Sequence, residues 1–382
     1  MDQVTFQQLG CSDNKHQIGI ATLDNTSSLN ALTFNMLSQL MDKLLEWQDD
    51  ESIVCVFLQG AGEKAFCAGG DVRTMYHVMN ERDPQESRAF FTDFFTTEYQ
   101  CDYLIHTYQK PIIGWGDRIV MGGGLGLFAG TSHRVVTPHS RLAMPEIHIG
   151  LYPDVGGTYF LNQLPPGIGL FLGLTATPVN ASDALDLTLS DYLLLREHRS
   201  TVLEQLQVSD WNNDVDSCDI VSDLLETLSY EAVSQRPDSQ LLPYLSQIQS
   251  ACHGEDLTSI CRNIQEIKGD EAWLEQAKKS LTGGSPISAY ICYRQITQCH
   301  DFSLADCFRV ELSLSVRCAL LGEFQEGVRS RLIDKDNQPE WMFGSVSSVD
   351  ESIIDTLFTS LWTRDNHPLA GLSNNVRHLS RK

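Results

Sequence analysis

At 382 residues the chain is longer than one hydrophobic core usually supports, so a large domain with a second unit attached is expected. Hydrophobic residues at 42% and charged residues at 20% exclude a disordered or fibrous chain. A formal net charge of −23 argues against a nucleic-acid partner, which would need surplus Lys and Arg, but leaves room for a small anion held by local donors. The N-terminus, MDQVTFQQLGCSDNK, is neither basic-then-apolar nor Arg-rich, so export and organelle import are not expected. No apolar run reaches the ~18 residues of a membrane span. The 11 cysteines contain no CxxC pair, which fits reduced thiols in a cytoplasmic compartment better than disulfides or zinc.

In chain order, QIGIATL (Gln17 to Leu23) reads as a strand. Thr33 can cap a helix whose apolar positions Met36, Leu37, Leu40, Met41, Leu44 and Leu45 recur at helical spacing. IVCVFL (Ile53 to Leu58) suits a strand covered on both faces. After the turn at Gly60–Gly70 comes an aromatic-rich helical stretch, Phe90 to Tyr108, then a strand from Pro111, a glycine cluster opening a short helix, and a strand from His133 to Thr137. Such alternation means an α/β architecture. From about Asn180 the glycine clusters largely vanish and helices follow, separated by acidic breaks such as SDWNNDVDSCD (Ser209 to Asp219). The expected division is a catalytic α/β core over 1–205 and a mostly helical region over 206–382. Within the latter, Ser285-Pro286 marks a helix start, and FQEGVRSRLIDK (Phe324 to Lys335) is a compact amphipathic segment.

Two segments run a strand into glycines before a helix: AFCAGGD (Ala65 to Asp71) and MGGGLG (Met121 to Gly126). Glycine lets a ligand approach the backbone, and the first amides of a helix are unpaired donors, so two converging turns would make an oxyanion hole. Tight strand-to-helix packing alone also uses such glycines. Gly124-x-Gly126-x-x-Ala129 loosely fits a dinucleotide fingerprint, with Glu146 placed 22 residues beyond Gly124. That reading fails because fewer than two helical turns fit before the strand at His133, and Glu146 lies past that strand. No GK[ST] completes a P-loop.

MPEIHIGLYPDVGG (Met144 to Gly157) sets Glu146 and Asp154 eight residues apart, each after a proline and among apolar or glycine neighbours. Charged groups are rarely buried without a partner or a task. Both suit acid–base work or attack on a carbonyl carbon, although Asp154 also fits a simple helix cap. His148 is a base by type, but a lone histidine is more often structural. Cys67 has no neighbour to lower its pKa, so packing is its expected role.

At these residues the sequence resembles the crotonase (enoyl-CoA hydratase/isomerase) superfamily. KAFCAGGDVR (Lys64 to Arg73) and MGGGLGL (Met121 to Leu127) look like its two oxyanion-hole segments. MPEIHIGLYPDVGGTYFL, SPISAYICYRQI and EGVRSRLIDKD are similar to its 3-hydroxyisobutyryl-CoA hydrolase branch. The resemblance implies a spiral of ββα turns with a helical C-terminal region, acting on an acyl-CoA thioester in valine breakdown. The Gly70 and Gly123 amides would bind the thioester oxygen. Ala68, Gly69, Asp71 and Gly122 would border the substrate, with the backbone at Ala68 meeting the CoA adenine. Glu146 matches the family's catalytic glutamate, and Asp154 the acid that marks the hydrolase branch. Hydratases carry a second glutamate where this chain has Gly126, which disfavours hydration as the reaction. Two alternatives stay open: an enoyl-CoA hydratase or isomerase acting through Glu146, and a non-catalytic acyl-CoA-binding module. No metal and no separate cofactor is expected, CoA being part of the substrate. A homo-oligomer is the superfamily habit, though the helical C-terminus could cover that interface. Arg118 stands where relatives commonly have glycine, so a contact from it to a CoA phosphate is conceivable.

Overall fold

The computed structural model describes residues 2–212 and 215–373; Asn213 and Asp214 of the acidic break lie outside them. Among the described residues ten strands form two sheets. They are β1 (Gln3–Gly10), β2 (Gln17–Asp24), β3 (Ile53–Gly60), β4 (Ala65–Cys67), β5 (Ile112–Gly116), β6 (Ile119–Met121), β7 (His133–Val136), β8 (Arg141–Ala143), β9 (Val179–Asn180) and β10 (Tyr192–Leu193). The larger sheet has the order β1-β2-β3-β5-β7-β10 and the smaller one β4-β6-β8-β9. All neighbours are parallel except β1 with β2 and β8 with β9.

Each repeat places one strand in the larger sheet, the next in the smaller sheet, and then a helix. The pair β3-β4 leads to α2 (Val72–Glu81) and α3 (Pro84–His106); β5-β6 leads to α4 (Gly123–Gly130); β7-β8 leads to a 3-10 turn, Glu146–Ile149, and α5 (Gly157–Asn162). This is the ββα spiral that the family resemblance implies. Before it, α1 (Phe34–Asp49) starts where Thr33 accepts a hydrogen bond from the Met36 amide, and it buries Met36, Leu37, Leu40, Leu44 and Trp47. Leu45, counted in the apolar set, is instead exposed. The run Ile53 to Leu58 is almost wholly buried, as a strand covered on both faces should be.

Three elements depart from the sequence reading. β1, to which the sequence reading assigned no element, pairs antiparallel with β2. The helical stretch expected from Phe90 starts earlier, where Asp83 with Pro84 opens α3, and a separate helix that was not expected, α2, precedes it with Asp71 as its cap through the Thr74 amide. A short parallel strand, β10, extends the larger sheet beyond Asn180. After it come helices, among them Ala272–Gly283, Pro286–Gln298 (capped by Ser285, as expected), Leu304–Leu321 and Glu323–Val328, the last running into a π-helical turn, Arg329–Ile333. Among the described residues, no helix is long and apolar enough to cross a membrane.

Candidate active site

The smaller sheet assembles the site. β4, β6 and β8 are parallel neighbours, so whatever follows their C-terminal ends meets at one edge. Ala68-Gly69-Gly70 follows β4, Gly122-Gly123 follows β6, and Met144-Pro145-Glu146 follows β8. The two glycine turns touch: a Cβ built on Gly123 would lie 3.5 Å from the Gly70 nitrogen. Gly123 is the first residue of α4, so its amide has no acceptor within the helix. Gly122 has a φ of +52°, and a Cβ there would meet Glu146 Oε1 at 2.9 Å. The glycine cluster therefore exists as much to admit carboxylates as to tighten a turn.

These turns border a pocket of about 290 Å³. Ala68, Gly69, Gly70, Gly122 and Gly123 line it, and so do both acids, Glu146 and Asp154. Asp71 does not, because its carboxylate is spent on the Thr74 amide and hydroxyl. A larger hollow of about 730 Å³ lies beside the Leu304–Leu321 helix. It holds neither glycine turn, and its Arg309 and His367 are engaged with nearby backbone groups. The chemistry points to the smaller pocket.

Glu146 is 4% exposed, and its Oε2 has no hydrogen-bond partner among the described residues. Burial pushes its carboxyl well above the ordinary range; the charge of Asp154 adds to this, and its own backbone amide opposes it. Asp154 is not the cap of α5, whose N-cap is Gly156. Its carbonyl accepts from the Gly157 amide, while its carboxylate accepts from the Tyr99 hydroxyl at 2.7 Å. Burial raises the Asp154 carboxyl to about 7, with the Tyr99 hydrogen bond holding it from going higher.

The sequence reading missed a third acid. Glu98, on α3, lines the pocket and is 3% exposed; a Cβ on Gly123 would stand 2.7 Å from its Oε1. Burial first, and Asp154 second, raise its carboxyl well above the usual range. One turn further, Asp102 is fully buried with both oxygens unpartnered among the described residues, and burial followed by Glu98 raises it too. The signal was there: Phe91, Phe94, Phe95, Glu98, Tyr99, Asp102 and Ile105 share the buried stripe of α3. Tyr99 and Tyr152 both reach Ser315 Oγ at 2.7 Å, tying Asp154 to the Leu304–Leu321 helix. From the same helix, Glu311 caps α5 through the Gly156 and Thr158 amides at 2.8 and 2.9 Å, and burial raises its carboxyl to about 8.

His148 lines the pocket but is bound at Nε2 to Ser280 Oγ, 2.8 Å away. Burial, and then the Arg331 charge, push it down to about 4. Cys67 is fully buried and raised to about 12, which fits packing. The phosphate contact considered for Arg118 is not supported. That residue, with a φ of +65°, precedes β6 at the end away from the glycine turns, and it does not line the pocket. The lining cation is Arg331. Among the described residues no cluster of three or more His, Cys, Asp or Glu is arranged to hold a metal.

Comparison with known proteins agrees with this geometry. A family model described as Enoyl-CoA hydratase/isomerase matches residues 18–358. The chain is 34% identical over 364 residues to the mitochondrial 3-hydroxyisobutyryl-CoA hydrolase of Danio rerio, covering 95% of this chain and 91% of that one. Against the Homo sapiens protein of the same name it is 33% identical over 365 residues, covering 95% and 90%. Among solved structures, an enoyl-CoA hydratase from Rhodobacter sphaeroides matches with a TM-score of 0.78 at 25% identity, covering 94% of this chain and 97% of that one. A carnitinyl-CoA dehydratase from Mycobacterium thermoresistibile gives 0.78 at 28%, covering 94% and 96%. The chain belongs to the enoyl-CoA hydratase/isomerase family.

Proposed function

We propose that the chain hydrolyses a short branched 3-hydroxyacyl-CoA thioester, most simply 3-hydroxyisobutyryl-CoA, to the free acid and CoA, a step of valine breakdown. The observation that carries this is the pairing of Glu146 and Asp154 beside two touching glycine turns, with no third acid at Gly126. Relatives named 3-hydroxyisobutyryl-CoA hydrolases, at 33–34% identity over 95% of the chain, support the substrate.

In this reading the Gly70 and Gly123 amides receive the thioester oxygen, and Ala68, Gly69 and Gly122 border the acyl-CoA path. Glu146, with one oxygen unpartnered, attacks the carbonyl carbon or takes a proton from the water that does. The C–S bond breaks as a C–O bond forms, either directly to water or to Glu146 as an anhydride that water then cleaves, and the departing thiolate takes the proton that the water gives up. Asp154, poised near 7, suits that proton transfer or the orientation of water and the 3-hydroxyl. The catalytic core is assigned to 1–205, and the described part of the helical region that follows, to Ser373, completes its back wall through Tyr99–Ser315 and Gly156–Glu311. The net charge of −23 disfavours nucleic acid, and the 11 free thiols suit a reducing compartment, cytoplasmic in our reading; fractionation against a mitochondrial marker checks it.

A second reading, hydration of an enoyl-CoA, is favoured by Glu98, which brings another glutamate to the pocket from α3. The test is thiol release from 3-hydroxyisobutyryl-CoA, with the double bond of crotonyl-CoA followed in parallel. Prompt thiol release without hydration is expected. Hydration without thiol release would replace the first reading with the second.

A further inference from the structure

We propose that His148 is a positioning residue, a hydrogen-bonding strut that holds the Glu146 turn against the helical C-terminal region, and not the base of the reaction. The argument starts from one proton. Ser280 has a single hydroxyl hydrogen, and it is donated to the Thr175 carbonyl, which can only accept. The Ser280 oxygen can therefore only accept from His148, which fixes the hydrogen on Nε2 and leaves Nδ1 bare. A second proton at Nδ1 would create a buried cation facing Arg331, and that nitrogen has no acceptor among the described residues to support it. Burial, the facing Arg331 and the missing acceptor at Nδ1 all oppose taking up a proton, so the ring is a weak base at working pH.

What it does have is a position. Ser280 lies on the Ala272–Gly283 helix and Thr175 at the end of α6 (Ile168–Thr175), so the bond pins the turn to two helices. The same turn is held at each neighbouring residue. Ser285 donates its amide to the Ile147 carbonyl at 2.9 Å, and a Cβ on Gly284 would meet Ile147 Cγ1 at 2.7 Å. Gly327 packs on Ile149, and Gly150 on the Glu323 carbonyl, each leaving no room for a side chain. Within this cradle His148 supplies the side-chain bond, two residues from the carboxylate that must stand beside Gly122. Misplacing a reacting group by about 1 Å costs on the order of 10²-fold in rate.

The inference rests on Glu146 acting in this pocket, and its test uses whichever thioester turnover the wild-type chain shows. Failure of the wild type to release thiol would count against the hydrolase reading alone. The variants are His148→Ala, Ser280→Ala, their double, and His148→Gln, whose amide places a donor near the Nε2 position. Rates are measured from pH 5 to 9, with thermal melts to confirm folding. We expect both alanine variants to lower kcat about tenfold with KM little changed, and the double to be no worse than either, as for two halves of one contact. His148→Gln should return kcat to within about threefold of wild type, and the pH limbs should coincide in every variant. Wild-type kcat in both alanine variants would overturn the proposal. So would a shifted limb, or a dead His148→Gln beside a fully active Ser280→Ala, since each would give His148 a proton to move.

Discussion

Tyr99 is the residue that decides when Asp154 ionises. Its hydroxyl stands 2.7 Å from Asp154 Oδ2 and favours the charged form, against burial that disfavours it. In Tyr99→Phe burial is opposed only by the weaker contributions of the Asp154 backbone amide and the Ser315 hydroxyl, so the carboxyl should rise further above about 7. If hydrolysis needs Asp154 ionised, the acid limb of the pH–rate profile moves to higher pH while the plateau is kept. A limb that stays in place would detach Asp154 from the rate. At this scale the sequence was partly legible. Glu146 and Asp154 stand out because prolines and glycines surround them in a short run. Glu98 and Asp102 were hidden because their chemistry depends on what α3 is packed against. Asp71, by contrast, looked like part of the site and is a helix cap.

The elements explain why the motifs work as a group. β4 and β6 share a ladder, so two glycine turns separated by about fifty residues of chain end side by side, and β8 delivers Glu146 next to them. Strand-then-glycine-then-helix was legible from local sequence; the adjacency was not, since it comes from long-range pairing in the smaller sheet. β1 escaped notice for a similar reason: half its residues are polar and only its pairing with β2 makes it a strand. Gly126 offers a test at this level. A Cβ there would lie 2.5 Å from Val155 Cβ, itself held at a φ of +51°. Gly126→Glu, which restores the hydratase pattern on paper, should therefore cost about 1–3 kcal/mol of stability, as overpacking does, and confer no hydration of crotonyl-CoA. A stable variant that hydrates would show the space to be there after all.

Over the whole molecule, charge shapes both binding and stability. A chain of net charge −23 must still hold a CoA polyanion, and the pocket's lining cation is Arg331. Its turn is braced by Arg329, paired with Glu326, Asp334 and Asp336, while among the described residues Arg331 itself bonds only an amide oxygen, that of Asn337. Arg331→Ala should raise KM for the CoA thioester roughly fivefold, the effect of about 1 kcal/mol. It should leave the phosphate-free pantetheine thioester unchanged. Equal effects on both substrates would deny it a phosphate. Stability should follow the buried acids. Asp154 and Glu311, raised to about 7 and about 8, bind protons more tightly folded than unfolded. Their ionisation then costs stability as pH climbs from the ordinary carboxylate range through those values. His133 and His148 act oppositely, but only below about 6.5, where unfolded histidine protonates. The melting temperature should thus fall as pH rises from 6.5 to 8; a rise across that interval would mean these acids are charged and well solvated. The most direct test of the account is thiol release by Glu146→Gln from 3-hydroxyisobutyryl-CoA, measured beside its affinity for CoA. Loss of turnover by about 10³-fold or more with CoA affinity kept is the predicted result, whereas release near the wild-type rate would contradict it and move the chemistry to another residue.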